Sequence, residues 1–215
     1  MMHHFRYAVL VLLCTLTWPL FGQDDYHTVL TNRASKIVAT LGLQDTALIN
    51  TVTTTLVDQY KALGVVHDTH EAAVKQLNAS TPAGLSRDSL NRQLEQARDA
   101  ALYPLHAAFV ARLQALLTPE QVDAVKNGMT YNVLNVTYKA QLDMIPTLTG
   151  EEKQQILIWL LEARELAMDA SSSKSKHAWF GKYKGRINNY LSARGYDLTK
   201  EREAWNERQK AANGN

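Results

Sequence analysis

The chain has 215 residues, 46% of them apolar, a formal charge of +2 and a single cysteine. One cysteine excludes an internal disulfide framework, so stability has to come from packing. A charge so near balance, in a chain that opens like an exported one, argues against nucleic acid as a partner.

Residues 1–22 read as a secretory leader and not as part of the fold. Arg6 precedes an apolar run from Tyr7 to Leu16, and Gly22 stands before Gln23-Asp24-Asp25, so cleavage is expected after Gly22. The run falls short of the roughly 20 residues that a membrane helix needs. Cys14 lies inside it and would be the lipid attachment point of a lipoprotein, but bulky Leu13 occupies the place of the usual small residue. The expectation is a chain without a transmembrane span, exported to the periplasm or the cell surface, with 23–215 as one helical domain. A chain of that length buries roughly 70% of its unfolded surface.

The first helix is predicted from Asp25 to Leu41, where Val29/Leu30, Ala34, Ile37/Val38 and Leu41 recur at helical spacing and Gly42 follows. A second starts near Asp45. Thr51 and the run Thr53 to Thr55 are poor helix formers, so packing must hold it. Val66, His70, Ala73 and Leu77 carry its apolar stripe past Gly64, which predicts one long helix. Asn78 to Ser86 reads as loop. Ser86 then caps a third helix, with Leu90, Leu94, Ala97, Ala101, Leu105, Ala108/Phe109, Leu113 and Leu116 on its buried side and a kink expected at Pro104.

Thr118-Pro119-Glu120-Gln121 is a helix start with a capping residue, a proline at the first position and a glutamine that reaches back. Met129 to Val136 is the one stretch of extended character, and Thr137 is placed as the cap of a brief helix to Ile145. Thr149-Gly150-Glu151-Glu152 repeats the capping pattern and opens a helix to about Ala170. Its centre, Ile156 to Leu161, is apolar all round. Small periplasmic helical chaperones use similar starts, although capping alone accounts for both. Thr199 is expected to cap a last amphipathic helix bearing Trp205. The fold class is all-α, a bundle of seven or eight helices.

The densest chemistry lies between Glu162 and Tyr196. From Ser171 to Tyr196 there are Lys174, Lys176, Lys182, Lys184, Arg186 and Arg194 but no acid, whereas acids outnumber Lys and Arg from Gln23 to Ala170. Glu162, Glu165 and Asp169 share one helix face, with Arg164 pointing elsewhere. Neutralisation by the nearby cations is the plain reading of those acids. A carboxylate pair flanking a glycosidic bond is the sharper one.

On a helix from Lys176 to Arg194, Trp179, Tyr183, Arg186 and Tyr190 fall on one side, with Phe180, Ile187 and Leu191 beside them. A planar cation among aromatic rings suits a carboxylate-bearing or ring-shaped ligand. The other side carries His177, Gly181, Lys184, Gly185 and Asn188. Glycines inside a helix cost about 1 kcal/mol each, which implies close approach of another helix or a ligand. His67 and His70, with Asp68 and Glu71, and separately His106, read as core or boundary histidines. No metal site and no cofactor is expected.

HAWFGKYKGRINNYL (His177 to Leu191), preceded by EARELAMDA (Glu162 to Ala170), resembles the exported helical proteins of Bacteroidetes grouped as domain of unknown function 3826. The likeness extends through Arg33 to Val38, Gln59-Tyr60, His67, Glu120 to Val122, Lys126 to Tyr131 and Gly195 to Asp197. The resemblance implies a sugar-binding role and supplies no catalytic residues.

The leading expectation is therefore a carbohydrate-binding protein of an exported polysaccharide-utilisation system, for acidic plant glycans. Lys176, His177, Trp179, Lys182, Tyr183, Lys184, Arg186, Asn188, Asn189 and Tyr190 are the expected ligand-binding set. The first alternative is a glycan-active enzyme using Glu162, Glu165 or Asp169 with His177. The second is a periplasmic chaperone-like or interaction protein with an exposed apolar face.

Overall fold

A computed structural model describes residues 21–214. All but the last two residues of the expected leader, Cys14 among them, lie outside the described residues. Eight α-helices follow one another, and no strand occurs among the described residues: α1 Phe21–Val38, α2 Thr46–Ser80, α3 Leu85–Leu116, α4 Pro119–Met129, α5 Val133–Met144, α6 Gly150–Met168, α7 Ser173–Ala193 and α8 Leu198–Asn213. The all-α expectation holds. None of these helices is long and apolar enough to cross a membrane.

The local chemistry explains most boundaries. Thr118 and Thr149 each accept from the amide three residues on, while Gln121 and Glu152 close the reciprocal bond, so both starts are capping boxes. Ser172 and Ser175 form a third. Asp197, not Thr199, caps α8, because its carboxylate accepts from the amides of Thr199 and Lys200. Within α2, Thr51, Thr53 and Thr55 turn their hydroxyls onto the carbonyls one turn back, each at 2.8 Å, so these polar groups are satisfied inside the helix.

Three expectations need correction. Met129 to Val136 is not extended: α4 ends there, Tyr131 and Asn132 adopt left-handed backbone (φ 58° and 57°), and α5 already begins at Val133. The second helix runs three residues into the expected loop, to Ser80, and the third starts two residues early, with Gly84 and not Ser86 at its N-cap. Pro104 lies inside the third helix, where it was expected.

Two clusters of buried side chains organise the helices. The first joins α1, the first half of α2, the last half of α3 and α4 around Leu56, Leu113 and Val125. At Gly128 a side chain would press within 2.9 Å of Ile37, so glycine lets α4 lie against α1. The second cluster joins α5, α6 and α7 around Ile156, Leu160, Phe180 and Ile187, with Leu198 of α8 packed on its edge. Tyr196 fastens the α7–α8 turn by donating its hydroxyl to Glu152 at 2.8 Å.

Between Leu63 and Phe109 no residue is buried. There α2 and α3 run beyond the first cluster as a two-helix arm, and at 1.5 Å per residue Gly64 to Ser80 makes it roughly 25 Å long. The stripe expected to be buried on α3 is accordingly only part covered, and Leu90, Ala97, Ala101 and Ala108 stay exposed. A single partner helix cannot cover so wide a stripe.

Candidate functional site

A cleft of about 690 Å³ opens where the root of the arm faces the α6–α7 junction. That volume lies within the usual range for small-ligand sites. From α2 come His67, His70, Glu71 and Val74; from α3 come Arg98, Asp99, Leu102, Tyr103 and His106. The opposite wall is Glu165, Leu166 and Asp169 of α6, Ala170 and Ser171, then Ser175 and Trp179 of α7. On each helix of the arm these residues repeat at three- and four-residue intervals, which brings them to one face.

Charged side chains form the floor. His106 Nδ1 lies 2.8 Å from Asp169 Oδ2 and its Nε2 lies 3.3 Å from Glu165 Oε2. With a carboxylate against each nitrogen the ring is held as the cation. The bond to Asp169, then that to Glu165, raises its pKa to about 9 against the opposing effect of burial. Burial alone would raise Glu165, but hydrogen bonds from His106 and Lys126, with the charges of Lys126 and Arg164, hold it down at about 2. Lys126 Nζ donates to Glu165 Oε2 at 2.7 Å. Arg164, only 4% exposed, donates to Asp123 at 2.9 Å, to Asn127 at 3.0 Å and to Glu165 at 3.3 Å. This polar seam runs between the two buried clusters.

The end of α6 is capped from outside the helix. Lys176, buried, donates to the carbonyls of Ala167 and Met168, both at 2.9 Å, and a ring nitrogen of His67 lies 2.6 Å from the carbonyl of Asp169. Hydrogen-bond donors at a helix C-terminus meet its unpaired carbonyls and the negative end of its dipole. Burial pushes the Lys176 ammonium down to about 8.

The expected site residues are thus divided. Glu165, Asp169 and Trp179 come together in the cleft. Lys176 serves the end of α6 and Tyr183 is buried in the second cluster. Glu162 leaves the other two acids and lies 3.7 Å from Arg186. His177 stacks at a tilt against Tyr131, 5.5 Å between ring centres. Lys184, Asn188 and Asn189 are not among the residues that line the cleft. Gly181 and Gly185 meet nothing within 4 Å where a side chain would begin, so no helix or loop among the described residues approaches them. Glu165 is neutralised from α3, α4 and α6 itself, and Asp169 by His106 of α3 together with the charge of Lys176 on α7. No group of three or more His, Cys, Asp or Glu suited to a metal ion occurs among the described residues, His67 and His70 included.

Arg98, Asp99 and Tyr103 were not singled out from the sequence. The spacing of Asp99, Tyr103 and His106 along one helix, matching that of His67, His70, Glu71 and Val74 on its neighbour, is the signal that finds them.

A glycosidase needs one carboxyl group kept protonated near neutral pH as general acid. Glu165 is driven the opposite way, so it does not fill that role as placed.

The charge network predicts a pH dependence of stability. The His106 pKa is raised in the folded protein, so its contribution is complete below the unfolded value near 6.5 and is lost as pH rises through about 9. On the order of 3 kcal/mol is at stake, since each pKa unit is about 1.4 kcal/mol. Glu165 acts with opposite sign: its contribution is present above about 4.5 and lost as pH falls toward about 2. Urea titrations from pH 6 to 8, below the range in which Lys176 acts with the opposite sign, should show falling stability, and His106→Gln should flatten that slope.

Residues 27–211 match a family described as "Protein of unknown function (DUF3826)". No curated protein matches the chain.

Proposed function

The chain belongs to the DUF3826 family of proteins of unknown function, and from that premise, which carries no activity, we propose that it is an exported carbohydrate-binding protein. The observation that carries this reading is the cleft itself. Trp179 and Tyr103 give it aromatic surface from opposite sides, and Glu71, Asp99, Arg98, His70, Ser171 and Ser175 ring it with hydrogen-bonding groups. Sugar rings offer just that pairing, flat carbon–hydrogen faces for aromatic rings and a perimeter of hydroxyls for polar side chains. The leader-like first 22 residues, and the resemblance to exported proteins of Bacteroidetes, support placement in the periplasm or at the cell surface.

The charges favour a neutral sugar in the cleft. Arg98 is tied to Asp99 at 2.7 Å and His106 stands between two carboxylates. An incoming carboxylate finds no free cation there and meets Glu71 and Asp99 instead. Calorimetry of the mature chain against neutral oligosaccharides should therefore give heats of binding, and single uronic acids should give none. A folded sample that binds no neutral sugar would remove the proposal.

A further inference from the structure

The expected cations are absent from the cleft but not from its surroundings. Beside Trp179, outside the lining, α6 and α7 carry a strip of alternating rings and positive charges. Lys182 Nζ lies 5.1 Å from the centre of the Trp179 ring. One turn on, the Arg186 guanidinium lies 4.7 Å over Trp159, whose ring meets Tyr190 edge-on at 5.1 Å. Trp179 to Tyr190 spans eleven helical steps, about 17 Å at 1.5 Å each. That is long enough for several sugar units in line.

The cations of this strip are available. Lys182 is exposed and the Arg186 side chain is 55% exposed. Stacking on an aromatic face fixes the direction of a guanidinium without consuming its outward hydrogen bonds. The one carboxylate paired with Arg186 among the described residues, Glu162, is itself half-exposed and 3.7 Å away, a loose pair that water screens. Arg194, by contrast, is taken by Glu151 at 2.9 Å and closes the far end of the strip. Trp179 belongs to both regions, so the cleft and the strip are continuous.

Resting on the carbohydrate reading above, we propose that the ligand is an acidic glycan chain whose terminal sugar is neutral. The neutral terminus occupies the cleft, the chain crosses Trp179, and carboxylates on the following units meet Lys182 and Arg186. The cleft selects the end of the chain and the strip selects its charge.

Calorimetry with three oligosaccharides of equal length tests this: a neutral one, one of uronic acids bearing a neutral terminal unit, and one wholly of uronic acids. The mixed compound should bind about tenfold more tightly than the neutral one at low salt, and the advantage should disappear at high salt. Arg186→Ala should bring the mixed compound to the neutral one's affinity, Arg186→Lys should keep part of the difference, and Lys182→Ala should act in the same direction. Circular dichroism should show all three variants folded, because both side chains are exposed. Equal affinity for the mixed and neutral compounds would overturn the strip while leaving the cleft reading intact. Tightest binding of the wholly acidic compound would overturn the neutral terminus. Absence of binding by all three removes both proposals.

Discussion

Arg164→Ala is expected to lower stability by about 3 kcal/mol or more in urea titration, a large effect for one polar residue. The guanidinium is almost wholly buried and joins Asp123 and Asn127 of α4 to Glu165 of α6. Truncation leaves the amide oxygen of Asn127 without its donor and removes one of the positive charges around Glu165. It also opens a void where the long stem was packed. Arg164→Met keeps the stem and should recover the packing share of the loss, which separates it from the electrostatic share. Arg186→Ala, at an exposed pair, should cost at most about 1 kcal/mol. A loss below about 1 kcal/mol for Arg164→Ala would mean that the polar seam does not hold the two clusters together.

Trp179→Ala is expected to weaken sugar binding by about 2 kcal/mol or more, some thirtyfold in affinity. Trp179 is the one tryptophan in the cleft lining and, on the reading above, the bridge between cleft and strip. Trp179→Phe, which keeps a flat ring, should retain most of the affinity. Trp179→Ala should also lower stability by about 2 kcal/mol, since the side chain packs against the second cluster, whereas Trp179→Phe should lower it less. Calorimetry beside thermal melting reads the two effects separately. An unchanged affinity in Trp179→Ala would remove the ring from the site.

The helices were legible in the sequence because their signals are local. Thr118, Thr149 and Pro119 mark starts through capping chemistry, and the 3.6-residue spacing marks buried faces. The extended reading of 129–136 failed because Tyr131 and Asn132 take left-handed backbone, where the usual turn signal is glycine. Cleft residues divided along similar lines. Glu165, Asp169 and Trp179 stood out because they sit in a stretch dense in unusual residues, and Glu165 among them was assigned the wrong counterions. Their partners, His106 and Lys126, come from 63 and 39 residues away, across a junction that no spacing along one helix can reveal. Lys176 was misplaced for a related reason. Its sequence neighbours look like a solvated cationic face, and only the antiparallel return of α7 brings its ammonium to the open end of α6.

Past His67 and His106, which are tied to the end of α6, the two helices pack only on each other among the described residues, so they form a cantilever whose fixed end is one wall of the cleft. A guest touching both Tyr103 and Trp179 would brace that lever against the better-packed half of the molecule. The added stiffness would be felt at the far tip, near Leu85, more than beside the guest itself. Occupancy would thus be legible at a distance, as a narrower spread of positions for a probe placed on a segment that never meets the sugar.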